Sequence, residues 1–247
     1  MHTGASHDSA FRVSEDASPE RTVIAGFSSF GLAGLTAVDY LADHLGLEPQ
    51  GHVSAEGVPT ITPFEAGRPR HPTRFLSGEG VDATLLLSEQ SIPLPLADRF
   101  GRSLLDWMDE EGVLEVAVLA GIPVAHGPDE HRTFYVATDD YRERRLADAD
   151  VPPMANGFLD GVNAALLEQG MESSLRVGVL VTPVHAQVPD AEAALRLLDT
   201  LAGLYDLDID TGPLREFADG VQQYYAELSE RLDRVADEDR PEDRMYM

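Results

Sequence analysis

The stretch Thr22-Val23-Ile24-Ala25-Gly26-Phe27-Ser28-Ser29-Phe30-Gly31-Leu32-Ala33-Gly34 decides the fold. Thr22 to Ala25 is a short apolar run of the buried-strand type. Gly26 to Gly34 is a glycine-marked turn. From Leu35 the apolar residues Leu35, Val38, Leu41 and Leu45 follow helical spacing, and Gly46 stops the helix. A strand that passes through a glycine turn into a helix is the opening of a layered α/β domain.

Outward from this join the same alternation continues. One or two short strands are expected around Pro59, between His52 and Phe64, with further strands at Thr73–Leu76 and Ala83–Leu87. Leu96 to Glu111 reads as a helix with an apolar stripe at Phe100, Leu104, Trp107 and Met108, capped by Gly112. Strands follow at Leu114–Leu119 and Thr133–Ala137, then a helix at Phe158–Gln169 and a strand at Leu175–Val181. The strands are apolar throughout, as in a sheet covered on both faces. Two helices close the pattern. Ala191–Leu204 has Asp190 as its N-cap. The second carries Leu214, Phe217, Val221, Tyr224, Leu228, Leu232 and Val235 in a near-heptad seam. This seam suits packing on the chain's own core and an oligomer contact equally well.

The expected organisation is a disordered N-terminal arm over 1–20, an α/β core over 21–187, a C-terminal helical pair over 188–236 and a flexible acidic tail over 237–247. No charged start leads into an apolar core, so no signal peptide is expected. No apolar run reaches the length of a membrane span.

Composition narrows the chemistry. The chain has 247 residues and 44 acidic against 18 basic side chains, a net charge of −26, with no Cys. Every basic residue is Arg. Without Cys there is no disulfide framework, thiolate nucleophile or Cys-ligated metal. Without Lys there is no Walker loop, Schiff base or Lys general base. The charge argues against nucleic acid and anionic lipid as partners. Its spread along the chain fits a protein adapted to molar salt, where the Debye length is about 3 Å and self-repulsion is screened.

Few residues stand out as chemical groups. Gly26, Ser28, Ser29, Gly31 and Gly34 lie where a helix start can hold an anion, although neither G-x-G-x-x-G nor a G-x-S-x-G elbow is present. The bland reading is that these glycines permit a tight turn and close helix–sheet packing. His126 and His131 bracket a loop and lack the spacing of a metal site. His185 sits near a strand end, where α/β sheets often place reactive groups. Carboxylate runs such as Asp139-Asp140 and Asp109-Glu110-Glu111 read as solvated faces. Arg142-Glu143-Arg144-Arg145 reads as ion-pair material. No catalytic residue, metal or cofactor is assigned.

The order and spacing of several segments resemble the proteasome assembly chaperone 2 family. They are Val23-Ile24-Ala25-Gly26-Phe27 with Gly31-Leu32-Ala33-Gly34, Ala37-Val38-Asp39-Tyr40-Leu41, Phe64-Glu65-Ala66-Gly67, Leu105-Asp106-Trp107, Gly112-Val113-Leu114-Glu115-Val116, Leu119-Ala120-Gly121-Ile122-Pro123 and Gly157-Phe158-Leu159-Asp160-Gly161. The resemblance spans about residues 21 to 235. It implies a three-layer α/β/α domain with a mixed sheet of the phosphorylase/hydrolase-like type, a homo-oligomer, a cytoplasmic setting, and an archaeal chaperone or partner of the proteasome core particle. The sequence closes with Met245-Tyr246-Met247, a hydrophobic–Tyr–any pattern of the kind that proteasome activators dock between α-ring subunits. Met is a flexible apolar filler, Tyr an apolar body with a hydroxyl, and a terminal carboxylate can pair with a cation. The 11 residues after Ala236 reach about 36–40 Å when extended. The alternative is a phosphorylase- or ligase-like enzyme that uses the Gly26–Gly34 loop as an anion site.

Overall fold

The computed structural model describes residues 10–124, 127, 130–185 and 189–221. An eight-stranded mixed sheet runs through it. Its strands are β1 (Phe11–Glu15), β2 (Thr22–Phe27), β3 (Glu48–Ala55), β6 (Thr73–Ser77), β7 (Thr84–Ser88), β8 (Glu115–Ile122), β9 (Phe134–Ala137) and β10 (Arg176–Pro183). A separate two-stranded hairpin joins β4 (Phe64–Glu65) to β5 (Arg68–Pro69). The sheet order is β1-β3-β6-β7-β2-β8-β10-β9. The four central strands β7, β2, β8 and β10 are parallel, and the outer ones pair antiparallel.

The central strands are buried on both faces, as their uninterrupted apolar runs require. On one face lie α1 (Ala33–His44) and α5 (Ala191–Tyr205), with a helix over 212–221, α6, that contributes Leu214 and Ala218 to the core. On the other face lie α2 (Leu94–Glu110) and α4 (Gly161–Met171). This is the expected three-layer α/β/α arrangement. The stripe on α2 is buried at Phe100, Leu104, Trp107 and Met108. Both α1 and α2 end with a left-handed glycine. Gly46 (φ 62) and Gly112 (φ 74) let Leu47 and Val113 donate back to the Ala42 and Met108 carbonyls, which satisfies carbonyls that a helix end leaves open.

Two expectations are corrected, and one short helical segment was not foreseen. The arm expected over 1–20 is ordered in part, because Phe11–Glu15 forms β1 on the edge beside β3. Phe11 is buried edge-on against Phe100, and the Trp107 indole N–H donates to Glu15. These partners are some 90 residues away, so local composition does not announce them. Residues 1–9 lie outside the described residues. The helix expected from Phe158 begins at Gly161. Gly157 and Gly161 both have positive φ, and they keep Phe158 in a loop. The acidic stretch after β9 contains α3 (Asp139–Tyr141), which runs into a π-helical turn over Arg142–Leu146. Tyr141 there fills the space above Gly178 on β10. The rest of the second terminal helix and the tail lie outside the described residues.

Candidate functional site

In a doubly covered parallel sheet, ligands sit beyond the strand C-termini, where connections diverge to opposite faces. Here β2 leads to α1 on one face and β7 leads to α2 on the other. The loop expected to hold an anion lies at this end, and its glycines are closely packed, Gly26 and Gly34 against backbone. A Cβ on Gly34 would stand 1.8 Å from the Leu119 carbonyl oxygen, and one on Gly26 would stand 2.4 Å from the Gly34 carbonyl oxygen. Gly31 (φ 64) fits against Val184, and Gly121 against the Phe30 carbonyl. Leu32 follows in a left-handed conformation before the helix starts. The Asp190 N–H donates to the Gly31 carbonyl and fastens the start of α5 across the loop. The Ser28 N–H is used by the Ser88 carbonyl. The Ser29 hydroxyl is enclosed and has no hydrogen-bond partner among the described residues. Close helix–sheet packing therefore accounts for Gly26, Gly31 and Gly34.

Beside the loop, His185 meets Asp190. The imidazole Nδ1 lies 3.0 Å from Asp190 Oδ2, and the His185 backbone N–H donates to the same oxygen. The other carboxylate oxygen caps α5 by accepting from the Ala193 N–H at 2.9 Å. Burial raises the Asp190 pKa, but the bonds from His185 and Ala193 and the nearby Arg196 outweigh it, and the net shift is downward. Arg196 is itself held by the Thr182 hydroxyl and the Pro183 carbonyl. His131 approaches the His185 ring edge-on at 6.1 Å. His126 lies outside the described residues. Among the described residues no group of three or more His, Asp or Glu side chains is arranged to hold a metal.

Around this closed end stand large apolar side chains in solvent. Phe30, Ile61, Phe64, Leu94, Val124 and Phe158 are all exposed, Phe158 at 94%. They come from the loop after β2, the connection from β3 to β6 with its hairpin, the start of α2, the end of β8 and the loop before α4. Sequence reading missed them because exposure of an aromatic residue has no local signature. The glycines Gly157 and Gly161 around Phe158, and Gly67 after Phe64, were the available hint that these aromatics sit on turns.

At the opposite end of the strands Glu115 is 1% exposed. It accepts from Arg145 at 2.8 Å, Arg176 at 3.1 Å and the Tyr205 hydroxyl at 3.1 Å. The Tyr141 hydroxyl meets that of Tyr205 at 3.0 Å, and Arg145 stacks over the Tyr205 ring. Burial pushes both phenols well above their usual range. Burial works against the Arg145 charge, but its contacts with Glu115 outweigh that and its pKa rises. Arg142 pairs with Asp139 at 3.0 Å. The basic cluster is thus ion-pair material, as expected. Met245, Tyr246 and Met247 lie outside the described residues.

These features define a three-layer α/β/α protein whose strand C-termini are closed by backbone packing and rimmed by exposed apolar side chains. A model of the PAC2 family matches residues 23–229, and the chain belongs to that family. Its fold is similar to that of Pyrococcus furiosus PbaA, described as an archaeal homolog of proteasome-assembly chaperone. The TM-score is 0.80 at 20% identity over 92% of this chain and 95% of that one. It is similar to Pyrococcus furiosus PbaB, described as an archaeal proteasome activator, with a TM-score of 0.75 at 18% identity over 90% and 100% of the two chains. A PAC2 family protein from Streptomyces avermitilis gives a TM-score of 0.65 at 24% identity over 84% and 95%. No curated protein matches the sequence.

Proposed function

We propose that this protein associates with the proteasome core particle as an assembly chaperone or activator, and that it acts as a cytoplasmic homo-oligomer in a salt-rich cell. Membership of the PAC2 family and the chaperone and activator homologs of the same fold support this reading. The observation that carries it is the closed strand end. Where an enzyme of this layer order opens a pocket, backbone fills the glycine positions and aromatic side chains face solvent. That surface suits contact with a protein better than enclosure of a small molecule.

The contact with the core particle is made by Met245, Tyr246 and the Met247 carboxylate, docked into pockets between α-ring subunits. Each tail binds weakly, and several tails on one oligomer bind through effective concentration. The chain contains no Lys, so the cation that meets the carboxylate comes from the partner or from an Arg. Among the described residues no helix is long and apolar enough to cross a membrane. The test is co-purification with core particles in molar salt after deletion of residues 245–247. Loss of the core particle with the oligomer intact is expected, and retained binding would remove the tail from the account.

A further inference from the structure

Charge is divided unevenly between the two ends of the sheet. Asp, Glu and Arg make up 25% of the chain, yet residues 57–64, 90–97 and 151–159 carry none of them, and neither does the 28–32 loop. All four segments reach the C-terminal end of the parallel strands. The 28–32 loop follows β2, 90–97 follows β7 and opens α2, 57–64 leaves the end of β3, and 151–159 leads up to α4. The connections at the opposite end are the reverse. Residues 139–150 hold eight charged side chains in twelve positions, and 109–115 hold four in seven.

The charge-free segments adjoin one another. A Cβ on Gly161 would stand 3.7 Å from Leu94, one on Gly57 would stand 3.9 Å from Leu96, and the Ser28 N–H bonds to the Ser88 carbonyl at the end of β7. Of the carboxylates that flank them, Glu65 and Glu89 pair with Arg70, and Asp98 pairs with Arg102. Phe30, Ile61, Phe64, Leu94 and Phe158 stand in solvent on these segments, with Val124 at the end of β8. At about 200 Å² for a fully exposed phenylalanine, the six present roughly 600–700 Å² of apolar side chain. That is above the patch usual on a monomer and close to the roughly 800 Å² that each partner brings to a standard interface.

We propose that this charge-free end is where two copies of the chain meet, patch to patch about a two-fold axis, which gives a face to the homo-oligomer of the proposed function and rests on that reading. The sequence fixes the charge of one partner, the chain itself, at −26. An acidic protein meets a basic partner through its carboxylates. It meets an equally acidic copy where it has none, because carboxylates pressed together lose water and gain no counter-charge. Repulsion between carboxylates outside the contact is screened within about 3 Å in molar salt. Among the described residues the remaining exposed large apolar side chains, Leu114, Met171 and Phe217, lie outside this end. The contact is therefore the same patch on both copies, an isologous one.

The test is sedimentation velocity of the full chain in molar KCl over a wide range of protein concentration. The parent is compared with the double variant Phe64→Glu, Phe158→Glu and with Met171→Glu, which makes the same change at the other end of the sheet. Each phenylalanine counts twice in an isologous contact. The double variant is expected to raise the dissociation constant about 100-fold or more, and Met171→Glu to leave it at the parent value. Circular dichroism and urea unfolding, read at a dilution where the parent has also separated, check that the subunit fold is kept. Phe158→Ser repeats the comparison if the double variant folds poorly. A folded double variant with the parent's size and affinity overturns this face and leaves the homo-oligomer standing. A parent that sediments as a monomer throughout removes both. A double variant that keeps the oligomer but loses the core particle in native electrophoresis places the core particle on the patch, and that too overturns the proposal.

Discussion

Where β8 and β10 begin, a carboxylate is buried among two guanidinium groups and two phenols. Where the same strands finish, aromatic side chains stand in solvent around a loop that is filled with backbone. One end takes charge inside, beside exposed Leu114 and Met171, and the other gathers the exposed phenylalanines Phe30, Phe64 and Phe158. The difference separates a structural role from an interaction role. Glu115 and its partners clamp α5 and the 142–146 turn to the sheet, whereas Phe64, Leu94 and Phe158 touch little of their own chain. Substitutions should therefore cost stability in the Glu115 network and leave it unchanged at the exposed rim side chains.

The largest effect belongs to the packed loop that the exposed rim surrounds. Gly34→Ala forces a methyl group to within 1.8 Å of the Leu119 carbonyl oxygen. A rigid backbone cannot yield as a side chain can, so a loss of about 3 kcal/mol or more is expected from urea unfolding in molar KCl. Glu115→Ala comes next. It leaves Arg145 and Arg176 facing each other across a vacated site, and because each is about a quarter exposed the expected loss is about 2–3 kcal/mol, below the range for a fully buried pair. The same unfolding series measures it.

Asp190→Ala removes the α5 cap and the anchor of His185, at a cost of about 1 kcal/mol. It also has a pH signature. The Asp190 pKa is depressed in the folded protein, so its contribution is fully present above the unfolded value of 3.8. The contribution disappears as pH falls below that value through the folded one. The stability difference between the parent and Asp190→Ala should shrink on acidification within that window. The smallest effect is at the rim, where Phe158→Ser and Phe64→Ser should change stability by less than about 0.5 kcal/mol. A large loss at either position would show that the rim packs on its own chain, and the contrast between the two ends would fail.

The strands and helices of the parallel centre were legible because each buries a long apolar run or stripe. Thr22–Phe27 and the Phe100, Leu104, Trp107, Met108 stripe are examples. The glycine loop was legible as a turn, and its alternative use for close packing is the one that the Leu119 and Val184 contacts explain. Phe11–Glu15 was not legible, because a five-residue edge strand with one buried anchor depends on Phe100 and Trp107 across the chain. The Glu115 network was half legible. The Arg142–Arg145 cluster signalled ion pairs, but nothing near Glu115 in sequence marks it among the 44 acidic residues as the buried one.

The exposed rim raises the question of what the protein meets, and the answer proposed above places the decisive contact in three residues at the end of the sequence. At molar salt long-range steering is weak, so that contact has to be short-ranged and shape-dependent, which suits a tyrosine with a carboxylate beside it. The most direct measurement is native electrophoresis of purified core particle in molar KCl with the intact chain and with Tyr246→Ala. A shifted core-particle band is expected with the intact chain and none with the variant, both proteins keeping the same oligomeric size. An equal shift with both would contradict that contact.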